Sequence, residues 1–177
     1  MSAVLAKANA DAESATARAW AVLEQVPDPE VPVVSVCDLG IVRDVAVQGQ
    51  GVAVVLTPTY SGCPATEVIA QSVHDALAGA GFDPVTVSTR RAPAWTTDWI
   101  SDAGRRKLRA YGIAPPSGNA AVHDDGPRPI RIHARGVDCP RCGSSQTEKL
   151  SAFGSTACKA LYRCLACREP FEYFKPI

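Results

Sequence analysis

Apolar residues first recur at helical spacing in "DAESATARAWAVLEQV", 11–26, where Ala19, Trp20, Leu23 and Val26 share one stripe. Pro27 and Pro29 then end the helix, because proline cannot continue the hydrogen-bond ladder. From Leu39 the pattern changes. "LGIVRDVAV" and "VAVVLT" are rich in β-branched residues and are joined by "QGQG", which predicts a hairpin. In the second of these strands Val52, Val54 and Leu56 fall on one face, while Ala53 and Val55 give the other little polarity. Such a strand suits the middle of a sheet. "PATEVIAQSVHDALAGAG", 64–81, returns to helical spacing through Ile69, Val73, Ala76 and Ala80, and the glycines at 79 and 81 stop it. "PVTVST" reads as a third strand, so strand, helix and strand predict a crossover connection. "TTDWISDAGRRKLRAYG", 96–112, reads as a closing helix with Gly104 inside it.

Beyond that helix the pattern lapses. "IAPPSGNAAVHDDGPRP", 113–129, holds four prolines and two glycines and reads as a linker. Residues 130–177 form a second, small module. "QTEKLSAF", "ACKALYRC" and "EPFEYFKP" have β character, with Phe171, Tyr173 and Phe174 available for a small core. The fold class is therefore α+β, a small mixed sheet with helices followed by a small β-rich module.

Charge divides with the pattern. Residues 1–116 carry nine Lys and Arg against twelve Asp and Glu, and residues 130–177 carry eight against four. The whole chain is neutral, so nothing draws it bodily to nucleic acid or to an anionic membrane. No apolar run approaches the roughly 20 residues of a spanning helix. The N-terminus lacks the basic start and apolar block of a signal peptide. The expected location is the cytoplasm, where seven cysteines would be thiols or metal ligands rather than disulfides.

Five of those cysteines lie between 139 and 167. "CPRCG" and "CLAC" are CxxC pairs, and 21 residues separate Cys142 from Cys164. Cys139, Cys142, Cys164 and Cys167 supply the four thiolates that a structural zinc prefers. A module of this size needs such a staple, since its apolar core is small. Four thiolates from two CxxC turns also make a rubredoxin-like iron site, which would define an electron-transfer subunit. Cys158 lies outside both turns and reads as packing or a minor structural role, with ligand exchange as the other reading.

Cys63, in "TPTYSGCPAT", stands alone between a strand and a helix. With Pro64 at the first helical position, Cys63 would face the helix N-terminus, where thiolate is favoured. Nucleophile, redox sulfur, metal ligand and inert core thiol all remain open. A Cys–His pair does not suit it: His74 is eleven residues along and falls with Glu67 and Gln71 on the polar face. His123 and His133 do not read as ligands. In "DPEVPVVSVCDLGIV", 28–42, Asp28, Glu30 and Asp38 either accept hydrogen bonds from loop amides or sit beside Cys63 and share in metal handling. Cys37 reads as core. "RRKLR", 105–109, is the densest basic patch, and Trp95 and Trp99 precede it four apart. Core packing is one reading of the tryptophans. A partner surface built of Trp95, Trp99, Arg105 and Arg106 is the other.

"DPEVPVVSVCDLGIV" followed by "VVLTPTYSGCPAT" resembles the iron–sulfur assembly domain of SufT-like proteins. "PAWTTDWISDAGRRKLRAYGIAPP" and "CPRCGS…FGSTACKALYRCLACREPFEYFKP" resemble the PaaD-like (PaaJ-like) family of accessory proteins, and the likeness spans residues 17–177. It implies an iron–sulfur assembly-like domain over 10–112, a linker over 113–129 and a zinc-ribbon-like four-cysteine module over 130–177. It further implies a role in phenylacetate breakdown, as an accessory to the multicomponent phenylacetyl-CoA epoxidase with no independent activity. Cys63 matches the family's candidate for handling iron or a cluster. Partners would be the oxygenase and reductase subunits or iron–sulfur assembly proteins. One sulfur is too few for an all-protein cluster site, so carboxylates, a second protomer in a homodimer or a client would complete the shell.

Overall fold

The computed structural model describes residues 2–60, 62, 64–116 and 136–177, with side chains from Ala12 onward. Cys63 and most of the expected linker, with His123 and His133, lie outside the described residues. The chain divides into two compact units, Met1–Trp95 and Thr96–Ile177.

In the first unit α1 (Ser2–Leu23) leads to an irregular loop and then to the hairpin β1 (Val42–Gln48) and β2 (Gly51–Leu56). The strands pair antiparallel, with Val45 opposite Val54. Helix α2 (Thr66–Gly79) then crosses over to β3 (Val85–Thr89), which lies parallel to β2. The sheet order β1-β2-β3 puts β2 in the centre, as its apolar faces require. α1 packs on β1 and on α2, and α2 packs on β3. Ala19, Leu23 and Val26 from α1 and the turn after it are buried with Ile69, Val73 and Leu77 of α2. The stripe on α2 runs through Leu77, where the pattern pointed to Ala76 and Ala80. The larger side chain takes the buried slot, because apolar area sets the gain. α1 begins well before Asp11, the first residue of the expected segment.

The second unit opens with a short 3-10 turn, Thr97–Trp99, and α3 (Asp102–Tyr111). Ser101 caps α3 by accepting the Gly104 N–H at 2.9 Å. Gly112 ends the helix in the left-handed region, at φ 101°. A two-residue strand β4 (Ile113–Ala114) then pairs parallel with β7 (Pro170–Phe174). β5 (Thr147–Ser151) and β6 (Lys159–Cys164) complete a sheet of order β4-β7-β6-β5. Residues 96–112 thus lie with the ribbon, although the sequence pattern joined them to the first domain. The parallel pairing of β4 with β7 holds them there, and so does the Thr97 N–H, which donates to the Ile177 carbonyl at 3.2 Å. The helix also starts later than the tryptophans. Trp95 precedes the 3-10 turn, Trp99 closes it, and they share no helical face.

Among the described residues no helix is long and apolar enough to cross a membrane.

Candidate functional site

Two places carry the chemistry anticipated from the sequence. The first is the loop from Pro27 to Ile41 together with the end of β2. The loop is built by its own acids. Asp28 is buried, and its Oδ1 accepts the N–H groups of Glu30 at 2.9 Å and Val31 at 2.8 Å. Ser35 and Asp38 brace each other: the Ser35 N–H donates to Asp38 Oδ2 and the Asp38 N–H to Ser35 Oγ, each at 3.0 Å. Asp28 and Asp38 therefore serve loop amides, and Glu30 is half-buried beside them in sequence. The Thr57 N–H donates to the Ile41 carbonyl at 2.8 Å, which brings the end of the acidic loop to the end of β2. Thr57 Oγ1 is buried there with no hydrogen-bond partner among the described residues. Cys37 is half-buried. Burial pushes its thiol up to about 12, and the nearby carboxylates of Glu24 and Asp38 add to the rise. It stays protonated at neutral pH and is no candidate for a thiolate.

The helix after this junction starts later than the sequence suggested. Its N-cap position is Ala65, and the Ile69 N–H donating to the Ala65 carbonyl at 2.8 Å is its first helical bond. Pro64 stands before the helix rather than in its first turn. The fixed φ of proline is compatible with the turn at 64 and 65 as well as with helix, so Gly-Cys-Pro does not by itself mark the start. His74 lies on the exposed face of α2, paired with Asp75 Oδ1 at 3.1 Å.

The second place is the four-cysteine cluster. The Sγ atoms of Cys139, Cys142, Cys164 and Cys167 all lie within 4.8 Å of one another. Cys139 and Cys167 are 3.8 Å apart, and Cys142 and Cys164 are 3.6 Å apart. A tetrahedral ion with metal–sulfur bonds of about 2.3 Å sets its sulfurs about 3.8 Å apart, so the donor set fits such an ion. Two similar turns hold the ligands. In the first, the Gly143 N–H returns to the Cys139 carbonyl at 2.9 Å. In the second, the Cys167 N–H points at Cys164 Sγ at 3.4 Å. The residue after each second cysteine is left-handed: Gly143 at φ 76° and Arg168 at φ 67°. That N–H of Cys167 draws the Cys164 thiol down to about 6, against the opposing effect of burial. Cys139 and Cys164 also pack into the ribbon's core, with Ala114, Val137, Phe171 and Tyr173. Tyr162 stacks on Phe171 at 5.8 Å between ring centroids and meets Tyr173 edge-on at 5.6 Å.

The other anticipated residues separate. Trp95 is 3% exposed, and its indole N–H donates to the Leu39 carbonyl at 2.9 Å, so it is core. Trp99 is half-buried. Arg105 bridges the Thr97 carbonyl at 2.7 Å and the Pro116 carbonyl at 3.0 Å, while Arg106 is exposed. Cys158 is buried, with Thr156 Oγ1 3.0 Å from its sulfur. Two features escaped the sequence reading. The strained Arg168 was detectable, since it occupies the place that glycine holds in "CPRCG". The pairing of buried Lys159 with half-buried Glu172, 2.8 Å apart, left no local signal.

Two family models match separate parts of the chain. Residues 16–89 match the model described as an iron–sulfur cluster assembly protein, and residues 124–175 match the PaaD zinc beta ribbon domain. An Escherichia coli (strain K12) protein, provisionally named as the D subunit of 1,2-phenylacetyl-CoA epoxidase, is 52% identical over 158 residues, which is 89% of this chain and 91% of that one. The Fe-S protein maturation auxiliary factor YitW of Bacillus subtilis (strain 168) is 36% identical over 93 residues, covering 51% of this chain and 87% of that one. The crystal structure of a domain of unknown function, DUF59, from Bacillus anthracis superimposes with a TM-score of 0.54 at 26% identity. It covers 56% of this chain and 96% of its own. The chain is thus an iron–sulfur assembly domain joined to a metal-binding zinc ribbon. It belongs to the PaaD family.

Proposed function

We propose that this chain is an accessory factor that matures a phenylacetyl-CoA epoxidase, handling iron or an iron–sulfur cluster through Cys63 and docking through its ribbon. What carries the reading is that one chain joins an iron–sulfur assembly domain to the ribbon and is similar, over nearly its full length, to a protein provisionally named as an epoxidase subunit. The name of the B. subtilis relative, a maturation auxiliary factor, points the same way. In sequence Cys63 follows β2 by seven residues, and at the end of β2 the acidic loop meets Thr57, whose buried hydroxyl has no protein partner among the described residues. Asp28, Glu30 and Asp38 belong to that loop, and two of them serve its amides. A single sulfur binds its cargo incompletely, and incomplete ligation favours release to a client. The partners are the oxygenase and reductase components or iron–sulfur assembly proteins, with a homodimer as the alternative way to complete the shell. Cys139, Cys142, Cys164 and Cys167 hold a structural zinc.

The test is Cys63→Ser in cells that express the epoxidase system. Epoxidase activity should fall to background while the purified variant melts like the wild type. Full activity in the variant would discard the reading. Metal counting on the same protein separates zinc from the rival, a rubredoxin-like iron that transfers electrons. One zinc per chain supports the first. A coloured protein with iron on the four C-terminal cysteines supports the second.

A further inference from the structure

The loop between β5 and β6, 152–158, presents an aromatic ring to water and is firmly braced while doing so. Phe153 is 65% exposed, more than any other large apolar side chain among the described residues. The buried Lys159 ammonium meets Glu172 Oε2 at 2.8 Å, and Oε1 of the same carboxylate accepts the Ser155 N–H at 2.6 Å. The Gly154 N–H donates to the Lys159 carbonyl at 2.8 Å. A Cβ at 154 would stand 2.6 Å from Glu172 Oε1 and would have to push that carboxylate out of the brace. Outside the brace, the Lys175 ammonium lies 4.5 Å from the Phe153 ring centroid and donates to the Ala152 carbonyl at 3.3 Å.

Burying a lysine carries a desolvation penalty that a small domain recovers only through good pairing. The same domain would gain stability by turning a phenylalanine inward. Folding accounts for the brace but gains nothing from the outward ring. Binding accounts for the ring, since an aromatic fixed before association loses little entropy on entering a pocket. The geometry points to Phe153 as a pre-organised anchor that inserts into an apolar pocket of a partner protein whose rim carries carboxylates. The acidic rim follows from charge complementarity: Lys175 sits on the ring, and residues 136–177 carry six Lys and Arg against four Asp and Glu. Leu150, on the adjoining β5, is exposed as well.

The choice of an epoxidase component as that partner rests on the function proposed above. The full-length chain is titrated against the recombinant oxygenase and reductase components of the phenylacetyl-CoA epoxidase from the same organism. Wild type should bind one of them, and Phe153→Ala should weaken that binding about tenfold or more, the size of an interfacial hot spot. Lys175→Ala should lose less and flatten the salt dependence. Leu165→Ala, another exposed apolar position, should bind as wild type does. Phe153→Ala within about twofold of wild type would overturn the anchor, and so would wild type binding neither component. If Phe153→Ala instead dissolves a homodimer, the pocket belongs to a second copy and the proposed partner is wrong. Cys63→Ser separates the two proposals, because it should bind as wild type while failing to mature the epoxidase. Full maturation by Cys63→Ser with binding lost only in Phe153→Ala would discard cofactor handling and leave the anchor standing.

Discussion

Ser35 and Asp38 exchange backbone-to-side-chain hydrogen bonds, each 3.0 Å long, and both residues are buried. The exchange closes the turn before Leu39, whose carbonyl receives the Trp95 indole. Asp38→Ala strands the buried Ser35 N–H, and such a loss costs about 1–3 kcal/mol. Asp38→Asn keeps an acceptor oxygen and should cost less. Urea unfolding followed by tryptophan fluorescence checks the order wild type, Asn, Ala. A carboxylate needed for its charge alone would collapse that order, with Asn destabilised as much as Ala.

Metal removal should act on the ribbon first. The four sulfurs join its two CxxC turns, and two of the cysteines, Cys139 and Cys164, are core residues with Phe171 and Tyr173. Without an ion, four adjacent thiols hold no tetrahedral arrangement, and small modules of this type lose their fold with their metal. Chelation should abolish the near-ultraviolet signal of Tyr162 and Tyr173 while the helical signal of α1 and α2 persists. Cys142→Ser should mimic it in part by removing one ligand. An unchanged aromatic signal in the metal-free chain would refute the staple.

Much of this fold was legible because its signals are local. The position of β2 in the sheet follows from its own two apolar faces, and the ligand set follows from two CxxC turns. What escaped depends on pairing between distant segments. β4 is two residues long and has no period to read, yet its pairing with β7 places α3 with the ribbon. Lys159 and Glu172 lie 13 residues apart on neighbouring strands, and only the register β6 adopts against β7 brings them together. Trp95 and Trp99 suggested a surface because their spacing fits a helix. The 3-10 turn capped by Thr96 breaks that spacing.

The Glu172 carboxylate gives the ribbon a pH dependence with a definite sign. Burial raises its pKa, but the Lys159 ammonium and the Ser155 N–H outweigh burial and hold it below the ordinary carboxylate value. A folded value below the unfolded one means stability that is complete above the unfolded pKa of about 4.3 and lost as pH falls through the folded value. The midpoint difference between wild type and Glu172→Gln should therefore be constant near neutrality and shrink in acid. Thermal melts of both proteins from neutral to acidic pH, with metal loading verified at each point, measure it. A difference that grows in acid would place the stabilising proton on the wrong side.

Arg168 offers a gain of stability. It adopts φ 67° after the second CxxC turn, where the first turn places Gly143 at φ 76°. A side chain in the left-handed region costs about 1–2 kcal/mol, because Cβ crowds the following carbonyl. Arg168→Gly relieves this crowding but loosens the unfolded chain, which reduces the net gain to about 1 kcal/mol. Gly143→Ala introduces the same strain on the other side of the cluster and should lose about 1 kcal/mol. No atom stands within 4 Å of a Cβ built at Gly143, so the loss would be conformational rather than steric. Paired denaturation curves on the metal-loaded proteins should therefore shift in opposite directions by similar amounts. If Arg168→Gly shifted downward as well, the arginine side chain would be supplying contacts worth more than the strain it tolerates.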